Sequence, residues 1–188
     1  MITKYGYSTD FCPSEKRNVI DKYKQWIDKE VQADLQKRRT EMVSIFLNLD
    51  HNINIASAIR ANNAFLGKEV YIVGRKKWDR RGAVGSHRYE HVYHADTFEE
   101  VSFLLHSIGY TIYAIDNIAT YEPKNILYSP IQEKAAFLFG NEGDGIPEDI
   151  IKKCDKMLYI QQFGSVRSLN VSQAAACVMM EYSRRFGV

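Results

Sequence analysis

Phe137-Leu-Phe-Gly140-Asn-Glu142-Gly-Asp-Gly145-Ile-Pro147 is followed by Tyr159-Ile160-Gln-Gln162-Phe-Gly164-Ser-Val-Arg167-Ser168-Leu169-Asn170-Val-Ser172 and then by an alanine-rich stretch. Two apolar, strand-like runs each end in a polar, glycine-containing loop, and each loop opens a helix. One loop offers the carboxylate Glu142. The other offers Ser168, Asn170 and Ser172. In open α/β sheets, ligands bind in the loops outside the carboxyl ends of strands. These two loops are the first candidate site.

Working outward, the pattern alternates strand and helix. Met42–Leu49 reads as a first strand, Ile55–Phe65 as a helix ending near Gly67, and Glu69–Val73 as a second strand. Strand, helix and strand within about 30 residues form a βαβ unit, which implies a parallel sheet. Further strands are expected at His91–His94, Thr111–Ile115, Ala135–Phe139 and Met157–Ile160. Helices are expected from Thr97 to Ser107, over Pro147–Cys154 and from Asn170 to about Arg185. Asp116–Lys134 shows no clear pattern. The fold class is therefore α/β with a parallel-sheet core.

Upstream, residues 1–13 read as an irregular arm. A helix is expected from an N-cap at Ser14, with Val19, Tyr23, Trp26, Ile27 and Val31 at helical spacing. The chain divides into an arm and helix over 1–41 that pack on a core, 42–188, within one compact domain.

At 188 residues, 45% hydrophobic and 26% charged, the chain has material for one sizeable core, and its net charge is only +2. Cys12, Cys154 and Cys177 share no metal-ligand spacing, so neither metal nor disulfide is expected. No apolar run approaches the roughly 20 residues of a membrane span, and the N-terminus lacks a signal-peptide pattern. A cytoplasmic protein is the simplest expectation. Phosphate-loop, ordinary dinucleotide, zinc-protease and serine-hydrolase motifs are all missing.

Positive charge is local. Lys37, Arg38 and Arg39 close the expected first helix. Arg75, Lys76, Lys77, Arg80, Arg81 and Arg88 crowd the connection 74–91, interleaved with Trp78 and Tyr89. Cations with aromatics suit phosphate contact and base stacking, the alternative being a solvated loop. Asn54 and Arg60 lie six apart on one expected helix, Glu142 follows a strand, and Asn170 opens the last helix. Singly, each has a plain reading as helix cap, turn residue or ion-pair partner. Together they gather at three strand ends.

Here the sequence resembles a known family. Asn54-Ile-Ala-Ser-Ala-Ile-Arg60, Phe139-Gly-Asn-Glu142-Gly-Asp-Gly145-Ile and Ser168-Leu-Asn170-Val-Ser172-Gln-Ala-Ala resemble, in order and spacing, the three motifs of the SpoU/TrmH RNA ribose 2′-O-methyltransferases of the SPOUT class. Ala56, Ser57, Gln161 and Gln173 depart from the family pattern. The resemblance implies a deep trefoil knot in the C-terminal part and a homodimer packed through it. It implies S-adenosylmethionine held among Ile115, Phe139, Gly140, Asn141, Ile160, Gln161, Gln162, Ser168 and Leu169. It also implies that Arg60 engages the 2′-hydroxyl, that Asn54 and Glu142 orient Arg60, and that Asn170 fixes the cofactor loop. A guanidinium holds its proton at neutral pH, so stabilising the forming alkoxide suits Arg60 better than general-base work. RNA would cross Lys37–Arg39, the 75–91 loop, Arg167 and Arg184-Arg185, with tRNA favoured over rRNA. A non-catalytic RNA-binding protein of the same fold, and a methyltransferase acting on protein or a base, remain the alternatives.

The alanine-rich stretch Val171–Tyr182 is apolar nearly all round, which asks for cover on both faces. A second subunit is one cover; the sheet and the N-terminal helix together are another.

Overall fold

A computed structural model describes residues 1–6, 17–47, 52–141 and 145–187. Cys12, Pro13, Ser14, the loop 48–51, Glu142 and Gly143 lie outside the described residues. Eight strands form one sheet: β1 (Thr3–Lys4), β2 (Val43–Leu47), β3 (Glu69–Val73), β4 (Val92–Ala95), β5 (Thr111–Ile115), β6 (Lys124–Asn125), β7 (Ala135–Phe139) and β8 (Lys156–Tyr159). Their order is β1-β4-β3-β2-β7-β5-β8-β6, parallel throughout except where β1 runs antiparallel to β4. Side chains alternate across a strand, so a sheet covered on both faces needs strands that are apolar at every position. In β7, Ala135, Phe137 and Phe139 join the core on one face, while Ala136 and Leu138 join the core on the other.

The described residues include five α-helices, α1 (Asp28–Gln36), α2 (Asn52–Ala64), α3 (Phe98–Ser107), α4 (Glu148–Ile151) and α5 (Val171–Phe186), and α2 to α5 cover the sheet. Ile55 and Ile59 of α2 meet Val178, Met179 and Tyr182 of α5 over one face, where the Phe46 and Phe139 rings stack at 5.1 Å. Phe98, Val101 and Leu105 of α3 and Ile151 of α4 cover the other face. Among the described residues, no helix is long and apolar enough to cross a membrane.

Two expectations need correction. The first long helix does not run from Val19 to Val31. Arg17–Ile27 holds only a 3-10 turn at Asp21–Tyr23, and α1 starts at Asp28. The cause is visible in Arg17. Its side chain is 7% exposed, pairs with Asp28, and donates to the carbonyls of Tyr23, Lys24 and Trp26. Those carbonyls serve a buried guanidinium instead of a helix ladder. Asn54 is likewise not a helix cap, since α2 already includes Asn52.

The 74–91 connection is also less open than its composition suggests. Trp78 is 7% and Tyr89 5% exposed, so neither is a platform for base stacking. Trp78 meets Tyr5 edge-on, and Tyr89 joins Tyr23, Val31 and Leu35 in a small third core. Two 3-10 turns, Arg81–Ala83 and Ser86–Arg88, carry this segment across α2.

Candidate active site at the carboxyl ends of β5, β7 and β8

The loops that leave β5, β7 and β8 converge on a cavity of about 520 Å³. Its wall contains Ile115, Phe139, Gly140, Asn141, Ile160, Gln162, Ser168 and Leu169, eight of the nine positions that the resemblance implied for a cofactor. Gln161, their neighbour, is exposed and does not line it. The volume falls within the range of ordinary ligand pockets, about 300–1,000 Å³.

Sequence reasoning missed part of this wall. Asp116, Asn117 and Ile118 follow β5 directly and line the cavity, as do Tyr159, Arg167, Val171 and Ala174. The usable signal was position alone, because residues just beyond a strand's carboxyl end are the ones a ligand meets. Asp116 Oδ1 accepts a hydrogen bond from the Asn117 amide at 2.7 Å. That turn fixes the carboxylate at the cavity edge.

Gly140 matters for closure of its own loop. A Cβ there would come within 2.4 Å of the Gly145 carbonyl carbon and 2.8 Å of the Ile146 nitrogen. Asn141 and Gly145 exchange two backbone hydrogen bonds, at 3.1 and 2.9 Å, so the ends of the loop are pinched together. Gly145 makes that pinch with a φ of +69°, in the left-handed region where glycine is least strained. Close approach of backbone to backbone, rather than backbone to ligand, is what demands glycine at 140.

Asn170 ties the third loop to α2. Its Oδ1 accepts from the Ser172 amide at 2.9 Å, capping α5. Its Nδ2 donates to Asn54 Oδ1 at 3.0 Å. Asn54 is 8% exposed whereas Asn170 is exposed, so this bond ties a surface loop to a buried position on α2.

Arg60 stands apart. It lies on the exposed side of α2, about 9 Å along the helix axis from Asn54, and is not part of the cavity wall. Asn54 and Asn170 are thus brought together, Arg60 lies further along the same helix, and Glu142 lies outside the described residues.

The expected cationic path divides in two. Lys37, Arg38, Arg75, Lys76, Lys77, Arg80, Arg81 and Arg167 are exposed. Arg81 spends its charge locally on Asp79, and Arg38 pairs with Asp34. Arg39 is a correction: its side chain is 2% exposed and forms a bidentate pair with Glu90, itself 0% exposed. Glu90 also accepts from Asn62 and Asn63 of α2. Arg88 is largely turned inward, pairing with the fully buried Asp28. These two arginines fasten the 81–90 segment between α1 and α2. Arg185 is similarly engaged, with Glu181 and with the carbonyls of Ile126, Leu127 and Ser129. The Arg184 and Arg185 guanidinium groups hold the Glu181 carboxyl down at about 2.

Fold and loop cluster together define a class, the RNA methylases. The chain belongs to the SpoU rRNA Methylase family, whose profile matches residues 41–180. It is 26% identical over 159 residues to the tRNA (guanosine(18)-2′-O)-methyltransferase of Thermus thermophilus, an alignment spanning 82% of this chain and 80% of that protein. It is 35% identical over 77 residues to the mouse tRNA (guanosine(18)-2′-O)-methyltransferase, covering 41% of this chain and only 5% of that much longer relative. Among solved structures, the Aquifex aeolicus TrmH/SpoU tRNA modifying enzyme superposes with a TM-score of 0.74 at 23% identity, covering 84% of this chain and 81% of that one. The SpoU methyltransferase AviRb of Streptomyces viridochromogenes, solved in complex with AdoMet, superposes with a TM-score of 0.69 at 21% identity, over 81% and 60% of the two chains.

Proposed function

We propose that this chain transfers the methyl group of S-adenosylmethionine to a ribose 2′-hydroxyl of a tRNA. The observation that carries the reading is the junction of the cavity with α2. Loops from three strand ends enclose a ligand-sized space, and the Asn170–Asn54 bond fixes that space against the helix bearing Arg60.

The cavity suits the cofactor in its donor set. Gln162 Oε1 is buried there with no hydrogen-bond partner among the described residues, and a buried acceptor gains most from a ligand N–H. The Asp116 carboxylate at the edge complements a cationic ligand. When bound, S-adenosylmethionine supplies a methyl group on a positively charged sulfur. The chain's part is then to hold, orient and shield. Gly140, Asn141, Ser168 and Leu169 form the walls, and Asn170 keeps the third loop in register with α2. Arg60, exposed on α2, would offer a fixed positive charge to the 2′-oxygen, which gains negative charge as its proton passes to solvent water and it takes the methyl group, leaving the cofactor as a neutral thioether. In this reading Glu142 joins Asn54 in orienting Arg60.

RNA would lie over the exposed cations Lys37, Arg75, Lys76, Lys77, Arg80 and Arg167. The likeness to the Thermus tRNA methyltransferase over most of both chains supports tRNA over rRNA. A second copy would pack on α5, whose Gln173, Cys177 and Met180 face outward, Met180 being 57% exposed. The C-terminal part would be knotted. The order β7-β5-β8-β6, with two later strands flanking β5, supports that threading. A cytoplasmic location follows from such a substrate.

Incubation of the purified protein with methyl-tritiated cofactor and total tRNA or rRNA, followed by nuclease mapping, tests the reading. Label in a 2′-O-methylated nucleotide of tRNA is expected. Label only in rRNA moves the substrate, label in a base or in protein changes the reaction class, and no label with cofactor bound leaves a non-catalytic RNA-binding protein.

A further inference from the structure

A ribose methylase needs somewhere to place the base attached to its target ribose. Among the described residues, the large exposed hydrophobics include Phe103, Leu127, Tyr128, Phe163, Val166 and Met180. Only Phe163 and Val166 belong to a loop that also walls the cavity. Gln162 precedes them and Arg167 follows, and both line the space. Phe163 is 94% exposed, with Gly164 beside it and no ring contact to a described residue. Its flat face stands in water next to the site, flanked by an exposed guanidinium.

We propose that Phe163 is the platform on which the base of the target nucleotide stacks, with Arg167 taking the adjoining phosphate. The inference rests on the methyl-transfer reading above. A nucleotide whose 2′-hydroxyl reaches the cavity has left its own helical stack. An aromatic face restores that stacking for any base, and a neighbouring arginine supplies the charge. The Asn170–Asn54 bond at the foot of the same loop places this platform and the Arg60 helix on one rigid junction. Trp78 and Tyr89, the aromatics that composition offered for this task, are buried.

Three variants at one position test it. Phe163→Ala is expected to raise KM for RNA about tenfold, the size of one lost base–aromatic stack. Cofactor affinity by calorimetry and the melting temperature should stay at wild-type values. Phe163→Leu, apolar but not flat, should behave like the alanine variant, whereas Phe163→Trp should restore KM. Emission from the new tryptophan, after subtraction of the wild-type signal from Trp26 and Trp78, should be quenched saturably by RNA and not by cofactor. Wild-type KM for Phe163→Ala overturns the inference. So does sedimentation showing that Phe163→Ala separates two copies of the chain, with normal KM wherever the pair persists, since Phe163 would then be a copy-to-copy contact. The quenching is read without turnover. It therefore decides the stack even if the wild-type protein methylates no RNA, a result that would count against the reaction and not against the platform.

Discussion

Asn170 donates to Asn54 across 3.0 Å, joining residues 116 positions apart in the chain. One side chain thus does two tasks, capping α5 through Ser172 and locking the cavity loop to α2. Asn170→Ser separates them. Serine caps a helix nearly as well as asparagine but is too short to reach Asn54. The expected result is a melting temperature close to wild type with single-turnover methyl transfer slowed on the order of 10–100-fold, as misplacement of about 1 Å produces. Asn170→Ala should add a stability loss of about 1 kcal/mol.

Arg60 is exposed and outside the cavity wall, so its removal should leave both the fold and the cofactor untouched. Arg60→Ala is expected to lower methyl transfer by about 10²–10³-fold, the worth of one preorganised charge at a developing oxyanion. Calorimetric cofactor affinity should not move. Wild-type-like turnover would remove Arg60 from the chemistry.

Arg39 and Glu90 form a pair that solvent scarcely reaches. Deleting one partner strands the other charge in the interior. Arg39→Ala should therefore cost about 3–5 kcal/mol, read as a lower urea midpoint. A surface cation such as Lys37 should cost within about 0.5 kcal/mol when replaced by alanine. If Arg39→Ala unfolds like Lys37→Ala and instead loses RNA affinity, Arg39 returns to the RNA path.

Stability should fall in mild acid for an identifiable reason. Burial, with Lys4 and Arg39 nearby, pushes the His91 imidazole down to about 4. Its Nδ1 accepts from Lys4 Nζ at 3.0 Å and its Nε2 donates to Gln36 Oε1 at 2.7 Å, a pattern that needs the neutral ring. Burial, with Arg80 and Arg88, holds His87 at about 4 as well. Between the ordinary histidine value of about 6.5 and 4, the unfolded chain binds more protons than the folded one. Stability contributed by the neutral rings is complete above that window and is lost as pH falls through it. Thermal melts from pH 7 to pH 4 should slope downward, and the double variant His87→Asn/His91→Gln should flatten the slope.

Much of this was legible in the sequence where burial is two-sided. Glu69–Val73, Thr111–Ile115 and Ala135–Phe139 have the bounds expected of them, because strands covered on both faces are apolar along their middle and leave little choice. The cavity wall was legible through the family resemblance, whose motifs fall in the loops after strands. What escaped was pairing across distance. A guanidinium reads as a surface charge until its buried carboxylate is known. Arg39 and Glu90, 51 residues apart, and Arg88 and Asp28, 60 apart, declare themselves only when folded. The same applies to Arg17, whose carbonyl partners undo a helix that apolar spacing had suggested. Asp116 escaped because a lone acid in an unpatterned loop carries no signal of its own.

The place of β7 has a consequence for synthesis. It lies between β2 and β5 but follows both in the chain. Until residues 135–139 leave the ribosome, the growing sheet is only β1-β4-β3-β2, with β2 presenting an unpaired apolar edge, while β5 has neither of its neighbours because β8 follows β7. Open edges of this kind invite pairing with other chains. A central strand arrives late, so a nascent chain of this protein passes through a sticky stage that ends only when β7, and then β8, cover the edges of β2 and β5.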